Sequence, residues 1–243
     1  WLQEALALRL RELGKEHLDV AQTCYNLASL YRSQGTYEKA EPFYLQALQI
    51  RETVLGVNHL LVAQSFYGLA KLYLSQEKYQ PAEELCKRAL HIREQHFEER
   101  PRMLASTLSV LAQIYLGQKK LDQAEKMNER ALQIREHASG KEHLHVAVII
   151  NNQVEVYHAK GTYQEAEPLI ARSLRIHEEI LGPELPYTAY SLSNKAENFF
   201  LQGMYDQAEF YYKRALAIRE QHLGLHHPRT ASTYCNIAKL YLA

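Results

Sequence analysis

The sequence predicts an all-α fold: a solenoid of antiparallel helix pairs, about twelve helices in all. Three observations carry this. The stretch from Tyr31, YRSQGTYEKAEPFYLQALQIRE, returns in register every 42 residues, at Tyr73, Tyr115, Tyr157 and Phe199. Within each copy the apolar residues fall at spacings of three and four, the period of an amphipathic helix. Glycine and histidine recur where helices must stop and restart, with Gly14, Gly56, Gly140, Gly182 and Gly224 in one column and His17, His59, His143 and His227 in another.

Each repeat reads as two helices. In the first, about 20–34, Ala21, Cys24, Leu27, Ala28 and Tyr31 share a stripe. Gly35 and Thr36 supply a stop and a new N-cap. The second helix, about 37–55, buries Ala40, Tyr44, Ala47, Leu48 and Ile50. Small residues at Ala28 and Ala40 and their equivalents let the two helices approach, and the Tyr31 column fills the space beside them. Glu41 and its equivalents lie near the start of the second helix, and Arg51, Arg93, Arg135 and Arg219 near its end, an order that complements the helix dipole. Pro42 and Pro168 fall inside second helices, where a slight bend is expected.

The expected organisation is a single array over 1–243: a half-repeat 1–14, repeats 15–56, 57–98, 99–140, 141–182 and 183–224, and a half-repeat 225–243. The chain opens inside a second-helix pattern and stops where another helix is due, so the expectation is a segment of a longer protein. Repeat three has Glu98 and Pro101 in place of the glycine and histidine, so its entry loop should differ. Gln153, Lys195 and Asn198 place polar groups at packed columns, which costs stability unless they find partners.

Composition excludes several functions. Lys plus Arg and Asp plus Glu number 28 each, so no net charge draws the chain to nucleic acid or an acidic membrane. No apolar run approaches the roughly 20 residues of a membrane span. The three cysteines, Cys24, Cys86 and Cys235, have no metal or disulfide spacing and read as core residues in a reducing, cytoplasmic setting. The linker histidines read as helix-entry residues, and no cysteine or carboxylate completes a metal set around them. There is no phosphate loop and no nucleophile elbow. Neither an enzyme nor a cofactor site is expected, and RNA binding is the weaker reading beside protein binding.

The columns resemble the tetratricopeptide repeat: Ala28, Tyr31, Gly35, Tyr37, Ala40, Tyr44 and Ala47. The longer period, with CYNLASLY at Cys24, YLQALQIRETVLG at Tyr44 and HHPRTA at His226, is similar to the kinesin light chain subtype. The resemblance covers essentially the whole chain. It implies a right-handed superhelix whose first helices line a concave groove for a peptide or protein segment. The implied groove residues are Gln22, Tyr25, Asn26, Ser29 and Arg32 in repeat one and Gln64, Tyr67, Lys71 and Leu74 in repeat two. Repeat three offers Ser106, Ser109, Gln113 and Leu116. Repeat four offers Val148, Asn151, Asn152, Glu155 and His158. Repeat five offers Tyr190, Ser193, Asn194, Glu197 and Leu201, followed by Cys235, Asn236 and Lys239.

In that resemblance the Asn26, Asn152, Asn194 and Asn236 column grips a ligand backbone, broken here at Gly68 and Val110. Tyr25 and Tyr67 are the candidate aromatic anchors. Arg32 and Lys71 in the first half, against Glu155 and Glu197 in the second, suggest a ligand that is acidic where it meets the first half. The alternative implied by the subtype is a sensing or autoinhibitory arm of a larger signal-transducing ATPase, with a fused nucleotide-binding domain.

Overall fold

The computed structural model describes residues 1–243 and is entirely helical outside its turns. The helices are α1 (Leu2–Leu13), α2 (Leu18–Ser33), α3 (Tyr37–Leu55), α4 (Leu60–Ser75), α5 (Tyr79–Gln95) and α6 (Pro101–Gly117). They continue as α7 (Leu121–Ser139), α8 (Leu144–Lys160), α9 (Tyr163–Leu181), α10 (Pro186–Leu201), α11 (Tyr205–Leu223) and α12 (Pro228–Leu242). The chain folds as two compact units, Trp1–Ala124 and Glu125–Ala243.

In unit 1, α2 pairs with α3 and α4 with α5, while α4 also touches α2 on one side and α6 on the other, so that the three form one wall. Ala28, Ala40, Ala70 and Ala82 are fully buried, which lets paired helices close on each other. Tyr44 fills the space between them with Leu69 and Leu72, and Phe66 packs with Val62, Ala89 and Ile92 one repeat later. Unit 2 repeats the plan. There α8 pairs with α9 and α10 with α11, around Ala196, Ala208 and Tyr212.

The linker histidines start the first helices. His17, His59, His143 and His227 are N-caps whose Nδ1 accepts the backbone N–H two residues on, at 3.1, 3.0, 3.1 and 3.2 Å. An accepting Nδ1 places the ring proton on Nε2. Repeat three lacks this cap: α5 ends at Gln95, and α6 begins at Pro101 after Arg100, whose side chain makes no cap bond. Its entry loop does differ, as the loss of Gly and His led us to expect.

Thr36 does not act as the expected side-chain cap. Its φ of −88° and ψ of 67° leave no side-chain cap bond, and its Oγ1 donates back to the Tyr31 carbonyl at 3.1 Å. The turn before it needs a left-handed residue. Gly35, Gly161 and Gly203 supply one, but Glu77 and Lys119 take the same column at φ 58° and 61°. A side chain there costs about 1 kcal/mol. Glu77→Gly and Lys119→Gly are each expected to raise the stability of unit 1 by about 0.5–1 kcal/mol, read by chemical denaturation.

The charged columns do more than complement helix dipoles. Arg51, Arg93 and Arg219 are only 1%, 3% and 6% exposed. Each Nη1 reaches into the next first helix, to the carbonyl ten residues on and the hydroxyl fourteen residues on. Arg51 donates to Leu61 O (3.1 Å) and Ser65 Oγ (2.8 Å), and Arg93 to Met103 O (3.0 Å) and Thr107 Oγ1 (2.5 Å). Arg9 and Arg219 repeat the pattern on Asp19 and Thr23 and on Arg229 and Thr233. The glutamates tie the other end. Glu41 accepts from Tyr73 Oη at 2.6 Å, and Glu209 from Tyr241 and Lys213. Glu83 accepts from Lys87, Gln118 and Lys120, and these bonds outweigh burial and hold its carboxyl down to about 2. Adjacent repeats within a unit are therefore fastened by buried polar struts as well as by apolar packing.

Candidate functional site

The wall of unit 1 is built by α2, α4 and α6, and its aromatic residues rest on the arginine struts. Tyr25 and Tyr67 occupy one column, one repeat apart, and both are half-buried. The Arg51 guanidinium lies 5.1 Å from the centre of the Tyr25 ring, and the Arg93 guanidinium 4.6 Å from that of Tyr67. The Lys71 ammonium approaches the Tyr67 ring at 5.5 Å. These are cation–π distances. The Tyr25 ring also meets Tyr44 edge to face at 5.4 Å. Burial pushes the Tyr67 hydroxyl up to about 12, so the ring keeps a neutral donor at its tip.

Polar groups surround this floor. Arg51 Nη2 donates to Gln22 Oε1 at 3.0 Å, and Gln22 Nε2 donates to Asn26 Oδ1 at 2.9 Å. Asn26 is exposed. Ser29 Oγ and Tyr44 Oη are 2.9 Å apart. Gln64 Oε1 and Arg32 Nε are buried and make no hydrogen bond. Burial, with Arg32 alongside, lowers Lys71 to about 8. Farther along the wall, Gln113 on α6 is half-buried and Ser109 is buried. Gly68 explains the break in the asparagine column: a Cβ there would lie 2.6 Å from Tyr44 Cε1 and 2.9 Å from Tyr25 Cε2. The two rings occupy the space that an asparagine would need.

Unit 2 arranges the corresponding residues differently. Asn151, Asn152 and Asn194 are buried, at 0%, 3% and 6% exposure. Asn151 Oδ1 accepts from Ser173 Oγ (2.9 Å), Ser191 Oγ (3.3 Å) and Asn194 Nδ2 (3.3 Å), and Asn151 Nδ2 donates to Ser191 Oγ at 3.1 Å. His177 stands where the other repeats carry arginine, and its Nδ1 lies 2.9 Å from Ser191 Oγ. Burial holds this histidine below its usual range. Tyr190 Oη donates to Glu155, and burial raises the Glu155 carboxyl despite that bond. Tyr212 Oη donates to Glu197. His158 Nε2 meets Asn198 Oδ1 at 3.1 Å, and burial holds this histidine below its usual range, opposed by Asn198 and Glu197. Asn236 is half-buried on α12.

Of the polar residues at packed columns, Lys195 lies over the Tyr211 ring at 4.4 Å and Asn198 is hydrogen-bonded. Gln153 is 3% exposed, and neither of its amide atoms has a partner. Cys24 and Cys86 are core residues, their thiols pushed by burial up to about 11 and about 12. Cys235 departs from the expectation and is exposed.

Sequence reasoning missed Arg51 and Arg93 as the floor under the tyrosines. The signal was present: each arginine is followed, fourteen residues on, by a serine or threonine, a pairing that dipole arguments do not require.

A family model described as tetratricopeptide repeat matches residues 1–53, 19–95 and 145–221, and a second model of that description matches 104–145. No curated protein is significantly similar in sequence. Among solved structures, BtubC (BKLC) from P. vanneervenii is 24% identical, covers 93% of this chain and 89% of its own, and superposes with a TM-score of 0.71. The kinesin light chain nearly identical TPR-like repeats of Podosopora anserina are 22% identical, over 84% of this chain and 97% of theirs, with a TM-score of 0.65. A Rap protein solved in complex with competence and sporulation factor is 16% identical, over 99% of this chain and 68% of its own, with a TM-score of 0.69.

Proposed function

We propose, from the premise that this chain belongs to the tetratricopeptide-repeat family, that it is a protein-interaction module holding a peptide or protein segment on the α2–α4–α6 wall of unit 1. One observation carries the reading: Tyr25 and Tyr67, partly exposed and one repeat apart, sit on buried guanidinium groups that fix them in place. Rings held this way lose little entropy on binding, which suits them to anchor a partner. Gln22, Asn26, Gln64 and Arg32 supply polar atoms along the same wall for a ligand backbone. The Rap protein in its complex supports ligand binding by helix-pair repeats of this fold. The corresponding residues of unit 2 are engaged with one another, so they have less to offer a ligand.

The test is a peptide selection against the whole chain, followed by binding of the selected peptides to variants. Tyr25→Ala and Tyr67→Ala are each expected to weaken binding about thirtyfold, roughly 2 kcal/mol, with thermal stability changed far less. Selected peptides that bind both variants as tightly as the parent would refute the reading.

A further inference from the structure

Arg32 and Lys71 are neighbours on the unit 1 wall, and no carboxylate answers either of them. The charge that bears on Lys71 is the like charge of Arg32, and neither side chain forms an ion pair. Arg32 Nε is buried without an acceptor. Lys87 and Lys120, by contrast, are matched by Glu83, Arg88 by Glu52, and the buried Arg51 and Arg93 by carbonyl and hydroxyl acceptors. Two like charges partly withdrawn from water repel each other, and desolvation disfavours the charged form of Lys71. The fold does not need them. One repeat later the same two positions are Leu74 and Gln113, and in unit 2 they are His158 and Glu197.

We infer that Arg32 and Lys71 form the subsite for a phosphoryl group carried by the bound segment, an inference that rests on the wall being the binding surface. A single carboxylate would neutralise only one of the two cations. A phosphomonoester brings a charge of about −1.5 to −2 at neutral pH and three acceptor oxygens. The guanidinium fork takes two oxygens side by side, and the ammonium takes the third as a point charge. The Tyr67 ring under Lys71 walls the subsite on one face and keeps the ammonium from full hydration.

The test uses the whole chain labelled with nitrogen-15 and two probes, inorganic phosphate and an acetylated Glu-Glu dipeptide amide, each titrated by NMR at pH 7. Phosphate is expected to saturate shifts of amides near Arg32 and Lys71, at least tenfold more tightly than the dipeptide. Arg32→Gln and Lys71→Gln are each expected to weaken phosphate at least tenfold while leaving the melting temperature equal or higher, because a repulsion is removed. Binding is expected to weaken as the pH is raised through about 8, where Lys71 loses its proton. Equal or tighter binding of the dipeptide would overturn the inference in favour of an acidic run, and phosphate shifts that neither saturate nor respond to the two variants would overturn it outright. Tyr25→Ala separates the two readings: it is expected to leave phosphate binding intact, whereas it should weaken the selected peptides about thirtyfold if the wall is the binding surface.

Discussion

Arg51→Ala is expected to destabilise unit 1 by about 3 kcal/mol, a large share of the stability of any domain of this size. The guanidinium is 1% exposed, and it donates to Leu61 O, Ser65 Oγ and Gln22 Oε1. Truncation removes these charge-assisted bonds, leaves a cavity between α3 and α4, and takes the support from beneath the Tyr25 ring. Arg51→Lys is expected to recover only part of the loss, because one ammonium cannot span acceptors on both α2 and α4. Arg11, whose side chain is 75% exposed in its pair with Glu12, is the control, and its replacement is expected to change stability by less than about 0.5 kcal/mol. Denaturant unfolding followed by circular dichroism measures all three.

In unit 2 the corresponding vulnerability is Asn151→Ala, with an expected loss of about 3 kcal/mol. Its side-chain oxygen is the common acceptor for Ser173, Ser191 and Asn194, and the site is closed to water. Deleting it takes the shared acceptor from buried donors and leaves Ser173 longer bonds such as that to the Ile170 carbonyl at 3.2 Å, and Asn194 the residue 151 carbonyl at 3.4 Å, which makes the loss large. His177 borders the same network through its Nδ1, 2.9 Å from Ser191 Oγ, and its Nε2 is buried and unpartnered. The variant should unfold at lower denaturant while binding at the unit 1 wall persists, which separates a structural role for Asn151 from a ligand role.

These two residues show what the sequence makes legible. Periodicity locates Arg51 and its equivalents with certainty of register, and the helices fall where the pattern places them. Depth is a different quantity. A charged residue near a helix end reads as surface, and only the packing of the next helix shows that Arg51 is buried and bridging. The asparagine column makes the same point. Asn26 is exposed while Asn152 and Asn194, of identical type and register, are buried, because in unit 2 Asn151 takes the position that Tyr25 and Tyr67 hold in unit 1. Small and amide side chains there bring neighbouring first helices into polar contact, whereas tyrosines hold a platform on guanidinium groups. Gly68 is legible only afterwards, since the rings that exclude a side chain belong to two other helices. The turn column behaved more simply: where glycine is missing, Glu77 and Lys119 still adopt the left-handed backbone that the register demands.

A crystal structure of the whole chain with its tightest selected peptide tests the central claim most directly. The account predicts that the peptide lies along α2 and α4, with one side chain against Tyr25, another against Tyr67, and its anionic group between Arg32 and Lys71. A peptide seated instead on the outer faces of α3 and α5, with both tyrosine rings free, would contradict it.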